Sequence, residues 1–469
     1  MIVDTMPEPS TPGTDQRRMD GTVASHSNDK SGITLAQGTA LYVGGVLGAG
    51  ILTLPALAAG RAGPASLVAL TSVLLLSVPL ASTFAALGAR YPDAGGVSTF
   101  VRHAFGTLPS RIVGVWFYLG VPMGIAALGL FAGGYVEAII GGNRTTQVAT
   151  AAVMIAVAGV SNIAGLRASS QIQLLVTFAL MLIVVAALAL SAHEIKGSNF
   201  SPVAPAGWSA VVPAAFLFVW SFTGWEAVSH LAGEFRRPDR DIVRATGLAI
   251  AIVAALFLAA GVVVVGVLGS AAGDSDAPMT DVLRRSVGGA GGLIVALMAV
   301  LLIFGNINAY MASLAKLGAA LGRDGAMPRW FARGSERGQA PQRSLAVVVA
   351  ISAGTLVIAA ISNWSPVGLV LATSASQLAV YIAGCAAGTR LLDRWTPGWC
   401  AAVVALVFVA ALTLAAGRYL VTPIALALVT ALWSRVSQAR TRTDTDGRPE
   451  LRAVEASEPG TRALAEGSE

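Results

Sequence analysis

The chain has 469 residues, of which 55% are apolar and 12% charged, with a mean hydropathy of +0.70. A soluble domain carries roughly 25% charged residues, so this composition excludes an ordinary water-soluble fold and points to a surface bathed in lipid. The net charge of +6 does not indicate a nucleic-acid partner, because the basic residues sit in short loops between apolar runs, where Lys and Arg set membrane orientation.

In chain order, the stretch from Met1 to Ser31 is polar, rich in Ser, Thr and Asp, and has no apolar core. It does not read as a signal peptide, and residues 1–34 are expected to form a disordered cytoplasmic tail. A helix needs about 20 apolar residues to cross the hydrocarbon. On that rule twelve spans are expected: Leu35–Ala59, Ser66–Gly88, Ile112–Ile140, Gln147–Ala164, Ile172–Ala192, Val211–His230, Ile242–Leu268, Gly292–Leu317, Leu345–Ile361, Val367–Leu391, Trp399–Ala416 and Leu420–Ser434. Residues 435–469 turn polar and charged and are expected to be a second disordered tail. Cys385 and Cys400 lie in or beside apolar runs and make neither a metal spacing nor a disulfide framework.

The loops give the orientation. With both termini inside, the internal loops hold Arg90, Arg102, Arg111, Arg167, Arg236, Arg237, Arg240, Arg244, Arg323, Arg329, Arg333, Arg337, Arg343, Arg390 and Arg394. The external loops hold Arg61, Arg144, Lys196, Arg284, Arg285 and Arg418. This bias predicts a multi-pass protein of the cell membrane with cytoplasmic N- and C-termini.

Two spans carry an interruption. In the first, Gly48-Ala49-Gly50-Ile51 is followed by Pro55; in the sixth, Trp220-Ser221-Phe222-Thr223-Gly224-Trp225-Glu226 breaks the apolar run. Glycine is the weakest ordinary helix former, and backbone groups freed in hydrocarbon need partners. Breaks five spans apart predict two five-span repeats, inverted because five is odd: residues 35–192 and 193–391, with 392–434 adding the last two spans. The expected fold class is therefore an all-α polytopic membrane protein with discontinuous helices one and six.

At the first break, N–H groups at the start of the second half-helix favour a carboxylate; the alternative is a small-residue packing patch, since Gly44 and Gly48 have that spacing. At Ser221–Gly224, exposed carbonyls could accept from an ammonium group. Side by side, the two sites fit an α-amino acid. Trp220 and Trp225 flank the second break and either could cover a bound side chain or pack as core. Glu226 is an acid inside a span, where such residues are costly and usually functional; it is a candidate proton site, or else a structural carboxylate on unwound backbone. His230 reads as an interfacial histidine and Glu137 as a vestibule or capping residue. In the eighth span Asn306 and Tyr310 share a face, either lining the pathway or tying helices together, and Lys316 snorkels near the inner end. No metal set, catalytic triad or phosphate loop is present, so neither an enzyme, a cofactor nor a metal is expected.

At these residues the chain resembles the amino acid–polyamine–organocation permeases. The resemblance rests on Gly48 to Ile51 with Pro55, Ala59-Gly60 and Gly63-Pro64; on Phe218 to Glu226 followed by Gly233-Glu234-Phe235-Arg236-Arg237-Pro238-Asp239-Arg240-Asp241-Ile242; and on Gly322-Arg323-Asp324-Gly325-Ala326-Met327-Pro328. It covers spans one to ten and implies the leucine-transporter-type fold. Carried over, Gly48, Ala49 and Gly50, with Ile51, would meet the substrate carboxylate, and Trp220, Ser221, Phe222, Thr223 and Gly224 its amine and side chain. Trp220 and Tyr310 match aromatic gating positions of the arginine/agmatine antiporter branch, and Glu226 its span-six glutamate. Two positions depart: Phe178-Ala179-Leu180 stands where some proton-coupled members carry a lysine, and Ile125 stands where basic-substrate antiporters are polar. The overall pattern is similar to the bacterial methionine and branched-chain amino acid exporters. The expected function is secondary transport of a neutral α-amino acid by alternating access, by proton coupling or exchange, in a monomer or homodimer. The alternatives are a cationic amino acid antiporter and a membrane amino-acid sensor that moves nothing.

Overall fold

The computed structural model describes residues 33–47, 50–91, 96–163, 170–222, 224–226, 235–333 and 341–446. The expected tails over 1–32 and 447–469 lie outside the described residues, as do Gly48, Ala49, Thr223 and His230. The described chain is helical, with one isolated bridge between Ile33 and Phe235.

The helices are α1 (Leu35–Leu47), α2 (Gly50–Ala62), α3 (Ser66–Arg90), α4 (Val97–Phe105), α5 (Thr107–Ile140), α6 (Arg144–Ile163), α7 (Ser170–Ser191) and α8 (Val211–Val219). They continue as α9 (Pro238–Leu268), α10 (Pro278–Val287), α11 (Gly289–Arg323), α12 (Gln342–Ile361), α13 (Pro366–Leu391), α14 (Pro397–Thr413) and α15 (Val421–Asp446). Among the described residues, eight helical runs are long and apolar enough to cross a membrane. Two of them, Gly50–Arg90 with 41 residues and Pro397–Val436 with 40, are each about twice the length one crossing requires. The protein is thus all-α and polytopic.

Burial separates an interior from a rim. In α5 and α13, 78% of the span window is buried, against 22% in the run that holds α14 and α15. So α5 and α13 form the centre, packed directly on each other, and α14 and α15 face outward. α5 also packs against α6, α11 and α12, which makes it the hub of the bundle. The amphipathic helix α4 buries Val97, Phe100, Val101 and Ala104, the i, i+3, i+4, i+7 face of one short helix, against α5 and α13. α15 runs to Asp446, past the limit at 434 that hydropathy set. Its continuation includes Gln438, Ala439 and Arg440, good helix formers that carry no hydropathy signal.

The motif after α11 has a structural reason. Asp324 accepts from Arg102 at the end of α4, and its carbonyl accepts from Arg111 of α5 at 2.9 Å. Arg90 also pairs with Asp393 at 3.0 Å, but both groups are well exposed, so this ion pair contributes little.

At the start of α6, Gln147 bridges two carboxylates. Its amide donates to Glu137 at 2.7 Å and to Asp276 at 3.4 Å, while Arg144 donates to the Gln147 carbonyl oxygen at 3.0 Å. Glu137 is therefore a rim residue that ties α5 to the segment before α10. Partial burial and then the nearby Glu137 raise the Asp276 carboxyl above the ordinary aspartate range, opposed by the Gln147 amide and Arg144. A raised acid makes its most favourable contribution to folding below its unfolded pKa of about 3.9, and that contribution is lost as pH rises through the folded value. Asp276→Asn is accordingly expected to be more heat-stable than the parent at neutral pH and to converge with it in acid. Thermal unfolding at the two pH values measures this; a gap of constant size would sink the assignment.

Candidate functional site

The two interruptions meet. α1 ends at Leu47 and α2 begins at Gly50; with 13 residues each, neither is long enough to cross the hydrocarbon alone. α8 ends after 9 residues at Val219 and passes into a short 3-10 turn, Trp220–Phe222. Gly224 then takes φ +138, a conformation that side-chain-bearing residues rarely adopt, so the helix cannot run on through it. A β-carbon built on Gly50 would overlap Ser221 Oγ and lie 3.1 Å from Ser221 Cβ. The first break and the second are therefore in direct contact, with Gly50 leaving the space that Ser221 fills. Ile51 is buried beside them.

The hydroxyl of Ser221 is buried and has no hydrogen-bond partner among the described residues, and the same holds for the Trp225 indole nitrogen. Trp225 is fully buried and packs on Tyr42 of α1 with ring centroids 5.8 Å apart. Of its two expected readings, the packing one describes its surroundings. Trp220 is half-buried, with its ring 6.0 Å from Phe131 of α5. A β-carbon on Gly124 would sit 3.2 Å from the Thr373 methyl and 3.3 Å from Trp220 Nε1, so Trp220, α5 and α13 converge there. Ile125, next to Gly124, is fully buried.

Glu226 is 1% exposed. Its Oε2 accepts from the Tyr381 hydroxyl at 2.8 Å and from the Gly224 N–H at 3.1 Å. Removing a carboxylate from water at membrane depth costs several kcal/mol unless donors replace the water, and these two donors are supplied by the break itself and by α13. Tyr310 of α11 interacts electrostatically with Glu226, which brings the eighth expected span to the same locus. Asn306 is half-buried on the same helix. Its neighbour Asn308 serves as a tie, accepting from the Asn162 amide of α6 at 2.8 Å. Lys316 is exposed two turns before the end of α11.

Two residues escaped the sequence reading. Tyr381 is the partner of Glu226, and Gln377 lies one helical turn before it on α13. Thr373, Gln377 and Tyr381 are spaced by four and form one stripe. Thr373 reaches the Gly120 carbonyl at 3.4 Å, Tyr381 holds Glu226, and Gln377, 1% exposed between them, has no partner among the described residues for either amide atom. The signal was present as Thr373-Ser374-Ala375-Ser376-Gln377, an unusually polar run inside an apolar span.

A helical membrane bundle whose two broken segments touch beside a buried acid defines a carrier for a small solute. The chain belongs to the amino acid permease family, whose model matches residues 33–434. It is 32% identical over 396 residues to the uncharacterized amino acid permease YecA of Bacillus subtilis (strain 168), covering 84% of this chain and 93% of that one. It is also 32% identical over 294 residues to the L-methionine/branched-chain amino acid exporter YjeH of Escherichia coli (strain K12), covering 61% of this chain and 69% of that one. The branched-chain amino acid permease BcaP of Bacillus subtilis is 25% identical over 248 residues, 49% of this chain and 53% of that one. The protein is thus a multi-pass membrane transporter of amino acids and not an enzyme.

Proposed function

We propose that the protein moves a neutral, aliphatic or thioether α-amino acid across the cell membrane by alternating access, with the zwitterion held between the two breaks. The observation that carries this is the contact of Gly50 with Ser221 beside Glu226. The N–H groups at the start of α2 favour the carboxylate, and the carbonyls at the end of α8 with the Ser221 hydroxyl favour the ammonium. The substrates named for YjeH and BcaP support an apolar side chain. So does the buried Ile125, which offers nothing to a second cationic group. Among the described residues of this region, Glu226 is the acid placed to exchange a proton during the cycle. In this reading the chain crosses twelve times, in two inverted five-span repeats plus a terminal pair, with both ends in the cytoplasm. Gly48, Ala49, Phe222 and Thr223 complete the pocket, and Trp220 and Tyr310 gate it.

Counterflow in liposomes against a panel of amino acids tests the proposal. Leucine, isoleucine, valine and methionine are expected to exchange, and arginine and lysine are not. Accumulation of arginine alone would replace this substrate class with the cationic one. Binding without flux would make the protein a sensor.

Gln377 is expected to contact the substrate or the water that travels with it. An unpaired buried polar group costs about 1–3 kcal/mol, and an amide left so in the centre of a bundle has to return that cost in another state of the cycle. Gln377→Leu is therefore expected to raise thermal stability while lowering exchange at least tenfold. A variant that is no more stable than the parent and transports normally would remove Gln377 from the site.

A further inference from the structure

At the outer end of the bundle, away from the two breaks, a cavity of about 310 Å³ opens between four parts of the chain. Arg61 comes from the end of α2, Phe216 from α8, Leu371 from the outer half of α13, and Arg418 and Tyr419 from the turn between α14 and α15. Gly417 shapes this turn. At φ +50 and ψ −126 it takes a backbone conformation open to glycine and strained for other residues, and it redirects the chain so that Ala416 is buried and Arg418 stands at the mouth. The Arg418 guanidinium lies 5.3 Å from the centre of the Tyr419 ring, so its position is constrained.

Arg61 and Arg418 form no ion pair with any described carboxylate. Two cations thus share one apolar-walled cavity with no described carboxylate paired to them. An arginine in the last turn of α2 also suits the negative end of that helix, but this explains Arg61 alone and leaves Arg418, the tyrosine and the cavity unaccounted for. The volume falls within the range of small-ligand sites, roughly 300–1,000 Å³.

We propose that this cavity is a second site, one that binds a singly charged anionic head carrying a short apolar body. The guanidiniums take the anion in paired hydrogen bonds, and Phe216 and Leu371 take the apolar part. A free α-amino acid and an anionic lipid both have this chemistry. If the transport reading above holds, an amino acid caught here by its carboxylate waits at the outer mouth of its own pathway.

N-acetyl-leucine is the probe. It keeps the carboxylate and the apolar body but lacks the ammonium that the central pocket requires, so its binding does not depend on the transport reading. Equilibrium binding of labelled N-acetyl-leucine to the purified full chain is expected to weaken at least tenfold in Arg61→Gln and in Arg418→Gln. Arg61→Lys should retain part of it, and Gly50→Leu all of it. A monodisperse elution profile shows that each variant is folded. Phosphatidylglycerol that displaces the probe from the parent, and has no such site in Arg61→Gln, identifies a lipid head as the occupant. Displacement by free leucine identifies the amino acid. The proposal is overturned by equal binding in parent and both glutamine variants, or by loss of binding in Gly50→Leu. Absence of leucine counterflow in the parent, with arginine-dependent probe binding intact, would instead sink the transport reading and leave this site standing.

Discussion

Gly50→Leu is expected to abolish transport while leaving a folded, membrane-inserted protein. The smallest addition at this position, a single β-carbon, already overlaps Ser221 Oγ and lies 3.1 Å from Ser221 Cβ and 3.3 Å from its Cα. The obstacle includes backbone, so a rotamer change alone cannot clear it. Overpacking of this kind costs typically 1–3 kcal/mol, which a large bundle survives, but the cost falls where the two breaks touch. Gly50→Ala should already reduce exchange about tenfold, since about 1.4 kcal/mol at the site, within that range, is a tenfold change in rate. The second-site variant Ser221→Gly should restore part of the flux of Gly50→Ala, because it removes both side-chain atoms that the new methyl meets. Contacting residues couple by about 0.5–3 kcal/mol in such cycles. Exchange assays on the four proteins measure this coupling. Normal flux in Gly50→Leu, or simple additivity of the two changes, would separate the breaks from transport.

Replacing Glu226 by glutamine is expected to flatten the pH dependence of net transport. The amide has nearly the same shape and can still accept from Tyr381 and Gly224, whose donors lie 2.8 and 3.1 Å from the carboxylate in the parent. What it loses is the ability to take up and release a proton. Substrate-for-substrate exchange needs no net proton movement and should survive better than net flux. Glu226→Ala should behave worse than Glu226→Gln in both assays, because it removes the acceptor of both the Tyr381 hydroxyl and the Gly224 N–H. Tyr381→Phe removes one hydrogen bond to the acid. Bonds to a charged group are worth about 1.5–3 kcal/mol, so the midpoint of the pH profile should move by roughly one to two pH units while its slope is kept. A parent and a glutamine variant with the same pH profile would remove Glu226 as the proton carrier.

The sequence announces the crossings because hydrocarbon tolerates little else: beyond Arg244 and Thr246, the run Ile242–Leu268 is apolar on every face, and α9 duly occupies Pro238–Leu268. It was silent on α4 and α10, whose 9 and 10 residues are too few for a crossing. Their own marks were local ones. In α10 these are Pro278 at the start, Asp281 in the first turn, and Arg284 and Arg285 in the last. The breaks were legible because Gly50 and Gly224 stand where a helix needs other residues. Ser221, Glu226 and Tyr310 follow from polarity at depth. The pairing of Glu226 with Tyr381 was not legible, since 155 residues separate the two and only packing brings α13 against the break. Trp225 illustrates the opposite limit: an aromatic beside a break reads equally as lid or as core, and only its neighbour Tyr42 settles which surroundings it has.

The bridge between Ile33 and Phe235 constrains how such a machine could turn over. Ile33, just ahead of α1, accepts from the Arg236 N–H at 3.1 Å, and the Phe235 ring lies against Gly38, where even a methyl group would find no room. The residue ahead of α1 is thus stitched to the pair ahead of α9. Neither helix start can tilt by itself without tearing that seam, so the two are expected to swing as one leaf, with the bare flank of Gly38 as its latch plate.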